Sequence, residues 1–270
     1  MLVMNYSLLD RLEILVRQNI YTYYWSRKIY FWICFIFRIS HEKEFEIIKR
    51  IPERQGIILD VGANDGISAV SARVYNKTNP ILSLEPNLFH EKRLRWLSRW
   101  DGNFSYRMIG AGKIKDRQTL YTPVYKKIPI TTISTLTPEM ARSIPETSAI
   151  FPQNFDDQFL EIYSADVDIL PVDELDLNLI LVKIDIESGE LAVLEGMSRT
   201  LKKCHPVIIV ENSAKIMDGI IAFLNNFGYT AIDSTTMAEL SSESIKTKYL
   251  DGGRRNIVFW PDNLVPKDLS

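Results

Sequence analysis

After Pro52 the sequence alternates between short apolar runs and amphipathic segments, and this alternation restricts the fold more than any other feature of the chain. The apolar runs have the length of strands buried on both faces, and the segments between them repeat apolar residues at helical spacing. Seven strands are predicted, at residues 57–61, 81–84, 104–109, 179–184, 207–210, 229–232 and 256–260. Alternating strands and helices form parallel sheets through right-handed crossovers. The pattern predicts an α/β, Rossmann-like, doubly wound fold: a mostly parallel seven-stranded sheet with helices on both faces.

The chain divides into a predicted N-terminal helical extension (1–50) and a predicted Rossmann-like domain (51–270). Within the domain, residues 113–178 form a long connection, and the stretch from Pro123 to Pro171 holds half of the 12 prolines. Long connections in compact domains are usually functional, so this segment is predicted to select the substrate. Four aromatic residues are spaced by four, which predicts one stripe on a helix, either in the core or against an acceptor: Phe151, Phe155, Phe159 and Tyr163.

The N-terminal extension contains an apolar, aromatic run at Ile29–Phe37, which is shorter than the ~20 residues that a membrane-spanning helix needs. Two interpretations stay open for residues 20–38. Their aromatic face packs on the protein's own core or on a partner subunit, or it lies at a membrane interface, where tyrosine and tryptophan are common. Cytoplasmic localisation, with or without peripheral membrane contact, and an oligomeric state agree with both interpretations.

Charge and cysteine content exclude some classes of function. Lysine and arginine total 32 against 34 acidic residues, so the net charge is close to zero and does not favour nucleic-acid binding. Nucleic acid is therefore not expected as a partner. The two cysteines, Cys34 and Cys204, have neither the spacing of a metal site nor that of a disulfide framework. A reducing compartment is consistent with this usage.

The segment at residues 60–66 reads Asp-Val-Gly-Ala-Asn-Asp-Gly, and it closes the first predicted strand and opens the first helix. Its glycines permit a tight turn, and amides at a helix start can hold a strongly polar ligand group. A dinucleotide fingerprint requires glycine where this segment has Asn64, and here an acid precedes the first glycine. These features favour a cofactor without pyrophosphate and with a cationic amino-acid part, S-adenosylmethionine. The predicted cofactor-binding residues in the segment are Asp60, Gly62, Ala63, Asn64 and Gly66.

Acidic residues also follow the second and fourth predicted strands. Glu85 ends the second strand, about 20 residues after the glycine segment, where an acid can accept both ribose hydroxyls. Asp185 and Glu187 follow the fourth strand, and they are the predicted catalytic bases. Of the three histidines, His205 lies at the opposite sheet edge, and no motif surrounds His41 or His90. Acids gathered there repel one another, so at least one pKa is expected to be raised unless a cation compensates.

Taken together, these segments resemble the FkbM family of methyltransferases. The matching positions are 60–66, Glu85-Pro86-Asn87, the run 185–190 and Glu211, with residues 171–175 as an altered Leu-Asp element and Ser188 where the family usually has glycine. The resemblance implies S-adenosylmethionine-dependent methylation of a hydroxyl on a sugar, glycan or secondary metabolite. It adds Asn87 to the cofactor-binding residues. A small-molecule or glycan acceptor is the partner that it implies.

A magnesium site is a further hypothesis. Asp185 ends the fourth predicted strand while Glu211 and Asn212 end the fifth, and neighbouring parallel strands lie about 4.8 Å apart. Hard oxygen ligands of this kind suit divalent cations such as magnesium. Two other functions stay open: a nucleotide-dependent oxidoreductase on a similar fold, disfavoured by Asp60 and Asn64, and a non-catalytic cofactor-binding module.

Overall fold

The computed structural model describes residues 20–147, 155–186, 189–211, 216–245 and 256–266. The chain forms two compact units, one from Met1–Phe37 and Gln118–Asp166, the other from Arg38–Arg117 and Val167–Ser270. The boundary after residue 50 and the limits 113–178 of the connection stay predictions.

Eleven strands and eight α-helices occur in the described residues. The strands are β1 (Ile57–Val61), β2 (Ile81–Leu84), β3 (Phe104–Arg107), β4 (Gly110–Ala111), β5 (Asp116–Tyr125), β6 (Ile128–Pro129), β7 (Leu160–Leu170), β8 (Leu179–Ile184), β9 (Val207–Glu211), β10 (Tyr229–Ile232) and β11 (Asn256–Pro261). The helices are α1 (Ile20–Phe37), α2 (Ile67–Tyr75), α3 (Glu91–Trp100), α4 (Pro138–Thr147), α5 (Glu190–Glu195), α6 (Ser198–Cys204), α7 (Met217–Asn225) and α8 (Ser242–Ser244). Short 3₁₀ helices lie at Lys43–Arg50, Leu88–His90, Thr131–Ile133, Asp157–Phe159 and Val172–Leu175.

The larger unit contains a seven-stranded sheet with the strand order β10–β11–β9–β8–β1–β2–β3. Strand β1 pairs in parallel with β2 and β8, and β8 pairs in parallel with β9. Strand β11 is antiparallel to both of its neighbours, β9 and β10. The predicted fold, a mostly parallel and doubly wound α/β sheet, is confirmed.

The central strands are buried on both faces, which explains why their sequences are almost continuously apolar. Leu59, Val182 and Ile208 on three neighbouring strands are all fully buried. Burial of such a side chain contributes about 1.5–3 kcal/mol, so the core that holds β1, β8 and β9 together also fixes the positions of their carboxyl ends.

The helix predicted after β8 is divided into α5 and α6 at Gly196. A Cβ at this position would lie 2.0 Å from the carbonyl oxygen of Gly112, so only glycine allows the backbones to approach this closely. Asp173, from the altered Leu-Asp element, caps α6: its carboxylate accepts hydrogen bonds from the amides of Arg199 and Thr200 at 2.9 and 2.8 Å. Its contacts are therefore those of a structural acid.

Within the long connection, the helical aromatic stripe predicted from four-residue spacing is wrong. Phe159 ends a 3₁₀ turn, and Tyr163 lies in β7, which begins at Leu160. Asp156 caps this turn by accepting a hydrogen bond from Gln158, after which the chain becomes extended. Phe151 lies outside the described residues.

The smaller unit contains α1 and the hairpin of β5 and β6, and α1 contacts β6. Tyr24 of α1 packs against an apolar cluster formed by Tyr125, Ile128 and Ile130. Among the helices that the structure describes, none has both the length and the hydropathy needed to cross a membrane.

Candidate active site

The order of the large sheet reverses at the boundary between β1 and β8. From β1 the chain adds strands in one direction, β2 and then β3, and from β8 it adds β9 in the other. Open α/β sheets bind ligands in the crevice at the carboxyl ends of the strands beside such a switch point. The predicted site residues follow the carboxyl ends of β1, β2 and β8, so the topology brings them to this crevice.

Gly62 makes the closest backbone approach at the switch point. Its φ is +83°, and a Cβ built on it would lie 1.8 Å from the carbonyl oxygen of Asp185. The Asp185 amide donates to the carbonyl of Val61 at 3.0 Å, which links the loop after β8 to the end of β1. Glycine is therefore required at position 62 both by its left-handed conformation and by the neighbouring backbone.

Four amides of the glycine loop donate hydrogen bonds within the protein. The amides of Gly62 and Ala63 both donate to the carbonyl of Leu84, at 2.9 and 3.2 Å. The amide of Gly66 donates to the carbonyl of Ala63 at 2.8 Å, and that of Asn64 donates to Glu85 at 2.7 Å. Each of these four amides has only one proton to donate, and each donates it within the protein. The prediction that residues of this loop bind the cofactor stays a prediction.

Glu85 joins two loops through its carboxylate. Its Oε2 accepts the hydrogen bond from the Asn64 amide, and its Oε1 accepts one from the Asn87 amide at 2.8 Å. The residue is buried, with only 7% of its surface exposed. The Asn87 side chain caps the following 3₁₀ turn by accepting a hydrogen bond from Phe89. Glu85 therefore fixes the shape of the crevice beside β2, and Asn87 contributes to this structure.

A row of polar side chains crosses three neighbouring strands just below the crevice. Asp60 of β1 is in register with Ser83 of β2 and with Lys183 of β8. The Ser83 hydroxyl donates to Asp60 Oδ2 at 2.9 Å, and all three residues are buried. Asp60 Oδ1 is also buried, and it accepts no hydrogen bond from the residues that the structure describes.

Lys183 provides the positive charge of the site. Its ammonium group donates to Asp185 Oδ2 at 2.9 Å and lies 3.4 Å from Glu42 Oε2. Glu42 in turn accepts hydrogen bonds from Ser68 of α2 and Asn256 of β11, at 3.2 and 3.1 Å. Lys183 is therefore a cation of the kind expected to compensate the acids at this edge.

Burial controls the ionisation of the Asp60 and Glu85 carboxyl groups. Burial raises the pKa of Asp60 to about 7, although the Ser83 hydrogen bond and the Lys183 charge both oppose the shift. Burial also raises the pKa of Glu85 to about 7, against the effect of the Asn87 and Asn64 amides. Burial alone would lower the pKa of Lys183, but the charges of Glu42 and Asp185 raise it and keep the ammonium protonated.

Two predicted site residues, Glu187 and Asn212, lie outside the described residues. Glu211 ends β9 in register with Asn256, and Val210 before it is level with Ile184, which precedes Asp185. The described residues contain no group of three or more histidine, cysteine, aspartate or glutamate side chains that could hold a metal ion. The predicted magnesium site at Asp185 and Glu211 therefore has no support from them.

Sequence reasoning assigned no role to Glu42 or Lys183. A lysine inside the otherwise apolar run 179–184 was a visible signal, because lysine is almost never fully buried unless it is paired. Glu42 had no comparable signal. It precedes the sheet region and reaches Lys183 only through the tertiary fold.

A cleft of about 1020 Å³ lies elsewhere on the larger unit, at the amino ends of β1 and β2. Its polar side chains serve the backbone: Arg54 donates to three carbonyl groups and Asn79 to two. Because ligands of open parallel sheets bind at the opposite edge, the crevice around Asp60, Glu85 and Asp185 is the better candidate despite the size of this cleft.

The chain has a doubly wound α/β fold, and its candidate ligand site lies at the switch point of the sheet. Residues 60–231 match the family model of the methyltransferase FkbM domain. This match covers more than half of the chain, so the protein belongs to the FkbM methyltransferase family.

Two of the solved structures similar to this chain are those of proteins named as methyltransferases. The methyltransferase FkbM of Methylobacillus flagellatus KT is 14% identical with a TM-score of 0.48, and the match covers 82% of this chain and 49% of that one. This chain thus spans about half the length of that protein. The precorrin-6y C5,15-methyltransferase of Geobacter metallireducens GS-15 is 13% identical with a TM-score of 0.38, covering 80% and 84% of the two chains. No curated protein matches the sequence.

Proposed function

We propose that the protein is an S-adenosylmethionine-dependent O-methyltransferase acting on a hydroxyl of a sugar, a glycan or a secondary metabolite. The observation that carries this proposal is Asp60 Oδ1, a buried carboxylate oxygen at the switch point that accepts no hydrogen bond from any described residue. Buried polar atoms are rarely left without a partner. A cationic amino group, as in the methionine part of S-adenosylmethionine, fits this oxygen.

The neighbouring residues fit the rest of that cofactor. The Glu85 carboxylate accepts two amide hydrogen bonds, and a carboxylate has about four acceptor sites, so it retains capacity for ribose hydroxyls. A pyrophosphate would need amides of the glycine loop, four of which already donate within the protein. This favours S-adenosylmethionine over a dinucleotide and the methyltransferase over the oxidoreductase.

When bound, S-adenosylmethionine supplies a methyl group on a positively charged sulfur. The protein must then orient the acceptor hydroxyl towards that carbon and accept its proton. Asp185 suits this role because it follows β8 at the crevice, exposes 36% of its side chain and has one oxygen held by Lys183. A positioned base of this kind contributes ~10²–10⁴-fold to the rate. Glu187 stays a second predicted base.

The cofactor is tested by calorimetry of the full chain with S-adenosylmethionine and with NAD. We expect heat of binding with the first ligand only. The reaction is tested with methyl-labelled cofactor and a glycan or lipid extract, followed by mild alkaline hydrolysis. Methylation of a hydroxyl gives a methyl ether, so the label should survive alkali. Release of the label would indicate the methyl ester of a carboxyl group and would contradict the proposed acceptor.

Glu85→Gln should weaken S-adenosylmethionine binding at least about tenfold, since charge-assisted hydrogen bonds contribute about 1.5–3 kcal/mol. Glutamine keeps the size of the side chain and one acceptor oxygen. Its amide nitrogen cannot accept the hydrogen bond that one of the two backbone amides now donates to Glu85. Calorimetry measures the affinity. The control is Glu91→Gln at an exposed ion pair with Arg95. An unchanged affinity in folded Glu85→Gln would remove Glu85 from the site.

S-adenosylmethionine should bind more tightly as pH rises through 7. Asp60 and Glu85 ionise near this pH, and a carboxylate attracts a cationic ligand where a carboxylic acid does not. Titrations between about pH 6 and pH 8 should show an affinity gain of roughly tenfold, because the ionised fraction of one group with a pKa near 7 rises about tenfold over this range. Asp60→Asn should flatten this dependence, and a profile as steep as that of the wild type would exclude Asp60 as its source.

The same carboxyl groups should make the ligand-free protein less stable as pH rises, whereas they make cofactor binding tighter. Their folded pKa lies above the ordinary values of 3.8 and 4.5, so their contribution to stability is complete below those values. It is lost as pH rises through about 7, because folding then buries a charge. The melting temperature of the ligand-free protein should reflect this loss, and added cofactor should offset more of it at higher pH.

A further inference from the structure

One face of α1 carries large apolar side chains that are exposed. They recur every three or four residues, which places them on one side of a helix. The exposed fractions are Tyr21 48%, Trp25 58%, Ile29 57%, Trp32 38% and Ile36 65%. We call these five residues the outer stripe of α1. Contiguous exposed apolar surface of this kind marks an interaction site.

The rest of α1 is anchored within the smaller unit. Phe31 and Cys34 are fully buried, α1 contacts β6, and Tyr24 packs on the apolar cluster of the hairpin. One side of the helix is therefore packed, and the outer stripe lies on its exposed side.

The charges of α1 are all positive. The helix contains Arg27 and Lys28, Arg38 follows it, and no aspartate or glutamate occurs between residues 20 and 41. The Lys28 ammonium lies 4.0 Å from the centre of the Tyr24 ring and 5.3 Å from that of Trp25, so a cation borders the outer stripe.

These two properties fit the surface of an anionic bilayer. Tryptophan and tyrosine prefer the interface between headgroups and acyl chains, and lysine and arginine are attracted to anionic lipids. A second copy of the chain fits less well, because two outer stripes in contact would bring the bordering Lys28 side chains together, with no acid in either helix to pair with them.

We propose that the outer stripe of α1 binds an anionic lipid bilayer, with the helix lying along the membrane surface and its tryptophans among the headgroups. Because this proposal rests on α1 alone, it is independent of the proposed reaction. Peripheral helices bind membranes in this way through buried apolar area combined with electrostatic attraction.

The test is sedimentation of the full chain with phosphatidylcholine vesicles, with and without phosphatidylglycerol. We expect binding to the anionic vesicles, weakened by added salt. Trp25→Glu should lower the partition coefficient at least about tenfold, because it replaces a large apolar side chain with an anion. Ile36→Glu should have the same effect. The matched control is Trp100→Glu in the larger unit, where Trp100 is 55% exposed, and it should bind as the wild type does.

Three results would overturn the proposal. Equal binding to vesicles with and without phosphatidylglycerol would show that charge does not contribute to membrane binding. Unchanged binding by both α1 variants would show that the outer stripe is not the surface that binds. A wild-type dimer that Trp25→Glu converts to a monomer, without binding to vesicles, would identify a second copy as the partner. Circular dichroism of each variant and its cofactor affinity distinguish loss of membrane binding from loss of folding or of the proposed function.

Discussion

Gly62→Ala should abolish methyl transfer and lower the free energy of unfolding by on the order of 3 kcal/mol. The new Cβ would lie 1.8 Å from the carbonyl oxygen of Asp185 and 2.8 Å from its carbonyl carbon, and backbone atoms cannot rotate away as side-chain atoms can. The φ of +83° adds strain for any residue with a Cβ. Relief requires the end of β1 to separate from the loop after β8, which displaces both Asp60 and Asp185.

The matched control for Gly62→Ala is Gly102→Ala. A Cβ at Gly102 meets no atom within 4 Å, so this change should alter stability by less than about 0.5 kcal/mol. Urea unfolding and calorimetry with S-adenosylmethionine measure the two effects separately. If Gly62→Ala bound the cofactor with wild-type affinity, the close approach at the switch point would have no role in the site.

Lys183→Met should destabilise the protein by about 3–5 kcal/mol, because removal of one partner of a buried ion pair leaves a charge without compensation. Here one ammonium group serves Glu42 and Asp185 directly, and it also lowers the pKa of the buried Asp60. The loss should be larger at pH 8 than at pH 5, where the buried carboxyl group of Asp60 is protonated. Activity should fall with stability because Asp185 loses the hydrogen bond that orients it.

The double variant Lys183→Met/Glu42→Gln separates charge from packing. Neutralising Glu42 in the Lys183→Met background should recover part of the lost stability, and the size of the recovery measures the coupling between the two groups. Lys203→Met is the control, since it removes an exposed ion pair with Asp176 and should change stability little. A Lys183→Met protein as stable as the wild type at pH 8 would contradict the role assigned to this ammonium group.

The sequence predicts the architecture because its decisive information is local. Buried parallel strands must be apolar along their whole length, and β1, β2 and β8 can therefore be read directly from the chain. Once the strands are known, topology determines which of their ends meet. The proximity of Asp60, Glu85 and Asp185 follows from this.

Other features depend on contacts that no local pattern encodes. Glu42 approaches Lys183 from a segment that precedes the first strand, and Glu85 is occupied by the amides of two different loops. In the connection, β7 alternates apolar and polar residues over part of its length. Aromatic residues on both sides of its first residue are spaced by four, and this spacing is also typical of a helix. Periodicity read over so few residues does not distinguish the two structures.

The contact between Glu42 and Lys183 also limits how this protein can be divided or recombined. The family match begins at residue 60, yet a carboxylate that neutralises the central lysine comes from residue 42. A chimera that joined residues 51–270 to the amino-terminal part of another family member would keep every recognisable motif and still leave Lys183 without part of its counter-charge. Exchanges of segments within the family should therefore transfer residues 38–50 together with the sheet, because Glu42 from this segment supplies part of the counter-charge of Lys183 in β8.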